Sequence, residues 1–237
     1  NPVDMEPCRI NGVLYALPNM RDSSWSTGFG YRNDIVEELG LEIGETTTFE
    51  EFHDILVKVH EAYPDMDCMV PSWSAGGMQI PLAYDPLGVL EDVYADSTEV
   101  VNFYATDTYR EFCEMMYQWN QEGLVMADAT TTTENNLLSA NGFAIFSNYK
   151  PGIEGELSRQ NSKDIKVSLL YDPYKHTGIA QGNNFCIPYC AKYPEKAMEL
   201  WNLMYTDADV STLFVDGIEG KHWVWTDDTH TFVTTPE

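Results

Sequence analysis

The chain has 237 residues with 43% hydrophobic and 22% charged side chains, a balance that excludes a disordered or fibrous polymer and suffices for a buried core in one large or two modest domains. Its 38 acidic residues against 13 basic ones give a formal net charge of −25, which disfavours nucleic acid and anionic membrane surfaces as partners, because phosphates would meet few cations. No apolar run approaches the roughly 20 residues of a membrane span, and the opening Asn1-Pro2-Val3-Asp4 lacks the basic-then-apolar pattern of a leader, so a mature or trimmed chain is expected.

In chain order, Asn11-Gly12 between Pro7-Cys8-Arg9-Ile10 and Val13-Leu14-Tyr15-Ala16-Leu17 predicts a two-residue hairpin, closed by Pro18. Asn33 or Asp34 can cap a short helix carrying Ile35, Val36 and Leu39, with Gly40 placed for a left-handed C-terminal cap. Thr48 and Glu51 form a capping-box pattern, and Phe49, Phe52, Ile55, Leu56 and Val59 recur at helical spacing up to Pro64. The same pattern, Thr108 with Glu111, precedes Phe112, Met115, Met116 and Trp119, a stripe read as core, and Gly123 ends it.

Leu137 and Leu138 close a short helix before Asn141-Gly142, and Phe143-Ala144-Ile145-Phe146 is a buried strand entering the loop Ser147-Asn148-Tyr149-Lys150-Pro151. Pro151 suits the first turn of a helix towards Gln160. Strands are expected at 165–171 and 183–188, helices at 194–206 and through Val210, Leu213 and Phe214 to Gly217, and a closing hairpin around Asp227-Asp228. Strands and helices mix throughout with no low-complexity linker. The fold class is α/β.

Catalytic patterns are missing. Gly28-Phe29-Gly30 is followed by Asn33 where a dinucleotide fingerprint needs its third glycine, and there is no P-loop, Gly-x-Ser-x-Gly or His-Glu-x-x-His. His53 and His60 lie two helical turns apart, roughly 10 Å, too far to share a metal ion. Asp65 and Asp67 lack the glycine and downstream glutamate of a calcium loop. Five cysteines cannot all pair within the chain and read as free thiols. No cofactor, metal or catalytic residue is assigned. What stands out is aromatic residues in loops and at strand ends, among them Trp25, Tyr31, Trp73, Tyr84, Tyr149, Trp223 and Trp225, several beside Ser, Asn, Asp or Gly. Such flat rings beside amide and carboxylate groups suit sugars, whose C–H faces stack while hydroxyls take hydrogen bonds.

The order of segments resembles the family-1 extracellular solute-binding proteins, the group that includes the maltose-binding protein. Asn11-Gly12-Val13-Leu14-Tyr15-Ala16-Leu17-Pro18 resembles the strand that introduces their second lobe. Tyr31-Arg32-Asn33-Asp34, Leu39-Gly40 and Thr48-Phe49-Glu50-Glu51-Phe52 are similar to their aromatic-Arg-x-Asp, Leu-Gly and Thr-x-x-Glu-Phe succession. Trp119-Asn120-Gln121-Glu122-Gly123-Leu124, Asn141-Gly142-Phe143-Ala144 and Tyr193-Pro194-Glu195-Lys196-Ala197 follow the same order. Gly217-Ile218-Glu219-Gly220-Lys221-His222-Trp223 looks like a stretch of the lipoprotein branch from Gram-positive bacteria.

The resemblance implies a two-lobed fold of periplasmic-binding-protein type II, here one nearly complete lobe, the hinge and part of the other lobe. Residues 1–20 would be the hairpin and hinge strand of the first lobe, 21–176 the second lobe, and 177–237 the return to the first lobe, with the chain truncated at both ends. It further implies a non-catalytic, cell-surface lipoprotein of an ABC importer that holds a carbohydrate between its lobes and docks on permease subunits. By position it places ligand contacts at Trp25, Tyr31, Trp73, Asn148, Tyr149, Asn183 and Asn184. The alternatives are a carbohydrate-active enzyme with two convergent carboxylates and a surface protein that binds another protein through its acidic faces.

Overall fold

The computed structural model describes residues 5–18, 26–71, 80–83, 85, 87–95, 97–132, 138–174, 184–225 and 233–234. The chain divides into two compact units, Asn1–Asn19 with Ala180–Glu237, and Met20–Ile179.

The first unit opens with β1 (Arg9–Ile10) and β2 (Val13–Leu14), paired antiparallel so that Ile10 faces Val13. Asn11 and Gly12 take φ of 52° and 81°, the two positive values that a two-residue turn of the favoured hand requires. β3 (Leu17–Pro18) then pairs antiparallel with β8 (Asn184–Phe185), joining the two sequence-distant parts of this unit. Two helices follow, α5 (Pro194–Thr206) with Pro194 in its first turn and α6 (Ala208–Val215) capped by the Asp207 carboxylate on the Val210 amide at 3.0 Å. Neither helix buries a residue, and Leu200, Phe214 and Val215 are 56%, 70% and 75% exposed. The apolar stripe read from the sequence of α5 is therefore only partly covered among the described residues, where Trp201 packs against Phe185.

Gly217 to Trp223 folds into a tight loop. Gly217 (φ 86°) leaves no room for a side chain, since a Cβ there would meet His222 Nδ1 at 2.6 Å, and that same nitrogen accepts the Ile218 amide at 2.9 Å. Trp223 Nε1 donates to the Gly217 carbonyl at 3.2 Å, which buries the ring and sets it edge-on to Trp225 at the start of the hairpin of β9 (Val224–Trp225) and β10 (Val233–Thr234). The loop between these strands, with Asp227-Asp228 and His230, lies outside the described residues.

The second unit is a four-stranded mixed sheet in the order β5-β6-β4-β7, with β4 (Ser26–Arg32) at its heart, antiparallel to both β6 (Gly142–Tyr149) and β7 (Ile165–Leu169). The short β5 (Asp67–Met69) runs parallel to β6. Helix α1 (Asn33–Leu39) follows β4 directly and ends at Gly40 in the left-handed conformation (φ 63°), as its sequence requires. Its expected cap is corrected: Arg32 holds the capping position by backbone alone, while its guanidinium clamps Asp34 at 2.7 and 3.0 Å. Helix α2 (Phe49–Ala62) starts with the full capping box, the Glu51 amide on the Thr48 hydroxyl at 3.1 Å and the Thr48 amide on the Glu51 carboxylate at 2.9 Å. Helix α3 (Asp107–Gln121) begins earlier than expected. Thr106, not Thr108, caps it, because the Thr108 hydroxyl is engaged by Glu91 at 2.5 Å. Helix α4 (Ile153–Asn161) likewise starts after Pro151-Gly152 rather than at Pro151.

Phe29 and Tyr31 of β4 point to α2 and α3, where Phe29 stacks on Phe52 at 3.8 Å and both join Trp119, Phe143 and Phe146 in one aromatic core. On the opposite face Gly28 and Gly30 let the neighbouring chain approach. A Cβ on Gly28 would lie 2.2 Å from the Ser168 carbonyl oxygen. Period-two alternation along β4 thus separates bulky residues from glycines, one face per function.

Candidate ligand-binding site

The sheet of the second unit has one end at which β4 begins while β6 and β7 finish. Antiparallel register sets Ser26 opposite Tyr149, Thr27 opposite Asn148 and Gly28 opposite Leu169. Past β7 the backbone stays attached to this end: the Leu170 amide donates to the Thr27 carbonyl at 2.9 Å, and the buried Ser26 hydroxyl donates to the Tyr171 carbonyl at 2.5 Å. The segment 44–48 lies along the outer side of β7, with the Thr47 amide on the Leu169 carbonyl and the Leu169 amide on the Glu45 carbonyl, both at 2.8 Å.

A loop, described over 80–83, 85 and 87–95, is pinned to the same end at three points. Thr27 Oγ1 donates to the Pro81 carbonyl at 3.3 Å, the Ala83 backbone hydrogen-bonds Tyr171, and the Tyr94 hydroxyl donates to the Asp172 carbonyl. Within the loop the Val93 amide reaches the Ala83 carbonyl at 3.1 Å and Asp92 accepts from the Tyr94 amide at 2.8 Å. Tyr94 thereby packs against Tyr174 at 5.3 Å and Tyr171 at 6.5 Å, a cluster of three phenols.

Two cavities share the wall formed by Tyr94 and Tyr171. One, of about 580 Å³, is floored by Leu82, Leu90 and Val101 and rimmed by Glu91, Asp92 and Glu99. The other, of about 700 Å³, runs past the hydroxyls of Thr46, Thr47 and Thr48 to Glu51 and Asp172. Burial, reinforced by Tyr174, Asp172 and Asp92, pushes the Tyr94 phenol up to about 12, and burial likewise raises Tyr171, so both stay protonated at neutral pH. The surface offers ring faces, neutral hydroxyls and carboxylate acceptors, the set that holds a polyhydroxylated molecule by stacking and hydrogen bonds. Among the described residues no three His, Cys, Asp or Glu gather as they would around a metal ion.

Of the residues singled out from the sequence, Asn148 and Tyr149 lie at this end of the sheet, both half-buried on the last two positions of β6. Tyr31 is core instead, 6% exposed with its ring 6.2 Å from Phe52 and 6.5 Å from Phe143, because it shares the inward face of β4 with Phe29. Asn184 stands in the other unit, exposed on β8, where its side-chain oxygen accepts from the Cys8 thiol at 3.7 Å. Trp25, Trp73 and Asn183 lie outside the described residues. Tyr94 and Tyr171 were missed. Tyr171 was within reach, since it ends a predicted strand in Tyr171-Asp172-Pro173-Tyr174, whereas Tyr94 sits in a segment without periodicity. His53 is engaged away from this end, 2.5 Å from Glu122 on α3 and stacked on Trp119.

No family model matches the chain. A carbohydrate ABC transporter substrate-binding protein of Streptococcus pneumoniae serotype 4 is 27% identical over 232 residues, covering 94% of this chain and 46% of that relative. The chain therefore spans less than half the length of that relative. Among solved structures, the N-glycan transport solute binding protein NgtS from Streptococcus pneumoniae matches at a TM-score of 0.81 and 24% identity, over all of this chain and 53% of that one. The same protein in complex with Man1GlcNAc matches at 0.73. The ABC substrate-binding protein Lmo0181 from Listeria monocytogenes, in complex with cycloalternan, matches at 0.54 and 11% identity over 92% of this chain and 54% of that one. Over about half their length, these solute-binding proteins have the fold of this chain.

Proposed function

We propose that the chain is part of a carbohydrate-binding receptor of an ABC importer, a protein that holds a glycan without breaking bonds in it. The carrying observation is the sheet end where β6 finishes in Asn148-Tyr149 opposite Thr27 and Ser26, and where Tyr94 and Tyr171 wall two cavities. The described stretch of the second unit begins at Ser26 and finishes at Tyr174, both at that end of its sheet. In this reading residues 21–176 are the second lobe, and 1–20 with 177–237 are the hinge and part of the first lobe. The exposed Leu200, Phe214 and Val215 of α5 and α6 would pack against the rest of that lobe.

The 27% identity to a carbohydrate transporter component and the fold shared with a glycan-binding protein support the assignment. In this reading the protein is also extracellular, carries a lipid anchor and docks on permease subunits, as the binding component of an importer would. No described helix is long and apolar enough to cross a membrane. The direct test is titration of the protein with Man1GlcNAc and Man5GlcNAc by calorimetry and tryptophan fluorescence. Saturable binding that weakens at least about ten-fold in Tyr149→Ala and Tyr94→Ala is expected, each ring being worth about 1.5 kcal/mol of stacking and area. The glycan should be recovered unchanged. Binding indifferent to both substitutions would place the site elsewhere, and release of reducing sugar would make the protein a glycosidase.

A further inference from the structure

The charge around the two cavities is of one sign. Glu91, Asp92 and Glu99 line the first and Glu51 and Asp172 the second, and no Lys, Arg or His lines either among the described residues. Three described cations of this unit pair with carboxylates that line neither cavity, Arg110 with Asp107 at 2.8 Å, Lys150 with Glu156 at 2.6 Å and Lys166 with Glu154 at 3.7 Å. The tyrosine wall is neutral at physiological pH, so nothing on it offsets the acidic rim. With a formal net charge of −25, the rest of the protein adds to the same field at longer range.

From this arrangement we infer that the site selects by charge, accepting neutral or amino-bearing glycans and rejecting those that carry phosphate, sulfate or carboxylate. The inference rests on the saccharide reading above and deepens it. A neutral sugar hydroxyl donates its proton to a carboxylate and keeps its lone pairs for whatever donor or water lies beside it. An anionic group brings only acceptors to a rim of acceptors and must be bridged by water or a counter-ion. Several carboxylates acting at about the Debye length weaken a phosphomonoester by about ten-fold at physiological salt.

The experiment titrates the full chain with Man5GlcNAc and with the same glycan carrying mannose 6-phosphate, at about 0.05 M and about 0.5 M NaCl. The phosphorylated glycan is expected to bind about ten-fold more weakly at low salt, with the gap closing at high salt and the neutral glycan unaffected. Glu99→Gln combined with Asp172→Asn should narrow the gap at low salt. Equal or tighter binding of the phosphorylated glycan overturns the inference and leaves the saccharide reading intact. A gap unmoved by salt and by the double substitution also overturns it, since the rejection would then be steric. Binding of neither glycan removes the saccharide reading and the charge rule with it.

Discussion

Replacing Gly28 by alanine should damage the second unit far more than the same change two residues on at Gly30. A Cβ on Gly28 falls 2.2 Å from the Ser168 carbonyl oxygen and 3.0 Å from Leu169 Cα, both main-chain atoms of the paired strand, whereas ordinary contact begins at 3.4 Å. Backbone cannot rotate aside as a side chain can, so β4 and β7 must separate by about an ångström or more at that point. Overpacking of this kind costs about 1–3 kcal/mol. The separation also strains the Leu170 amide bond to Thr27 and the Ser26 hydroxyl bond to Tyr171, at about 1 kcal/mol for each bond lost. A total of about 3–5 kcal/mol follows. At Gly30 the nearest atoms are side-chain carbons, Ile145 Cγ1 at 3.3 Å and Ser147 Cβ at 3.4 Å, which can shift by tenths of an ångström. There the reduced entropy of the unfolded chain recovers about 0.4–1 kcal/mol, leaving a loss under about 1 kcal/mol. Neither glycine has a positive φ, so the contrast isolates close approach from backbone conformation. Urea unfolding followed by hydrogen exchange in β4 and β7 peptides reads this unit by itself. Losses within about 0.5 kcal/mol of each other for the two variants would refute the argument.

Three further outcomes are expected. Thr48→Ala removes one arm of the capping box on α2 and should lower stability by about 1 kcal/mol in urea melts, with Thr48→Asp restoring most of it. Asp34 is held below the usual carboxylate range, chiefly by its hydrogen bonds from the buried Arg32 guanidinium. Because its pKa is lowered in the folded state, its contribution is complete above the ordinary value of 3.8 and is lost as pH falls through the folded value. The stability difference between the parent protein and Asp34→Asn should accordingly be constant from neutral pH down to about 5 and shrink below about 3.8, and a pH-independent difference would contradict the pairing. Finally, brief alkylation of the native protein with mass-spectrometric mapping should modify Cys113, Cys186 and Cys190, which are exposed. Cys68 should stay unmodified, because burial pushes its thiol up to about 12. Equal labelling of Cys68 would mean that the core of the second unit opens readily.

Local chemistry was legible from the sequence wherever a few adjacent residues suffice. Asn11-Gly12 dictated its turn through positive φ, Thr48 and Glu51 their reciprocal cap, Gly40 its helix end, and the stripe of Phe52, Ile55, Leu56 and Val59 its buried face. Caps that compete with tertiary partners were harder to read, as Thr108 shows by spending its hydroxyl on Glu91.

What tertiary structure alone decided is the centre of the sheet and the site built on its end. Ser26-Thr27-Gly28-Phe29-Gly30-Tyr31-Arg32 carries two glycines and reads poorly as a strand. It nonetheless forms the middle of the sheet, because Gly28 admits the Ser168 carbonyl on one face while Phe29 and Tyr31 fill the core on the other. Tyr31, expected at a ligand by position, is instead held in that core by the alternation of the strand it belongs to. Tyr94 and Tyr171 lie far apart in sequence and meet only because a loop is pinned at three points to the ends of β4 and β7. Propensity and capping act over a turn or two of chain, and a binding surface assembled from such remote segments exists only once the sheet has brought them together.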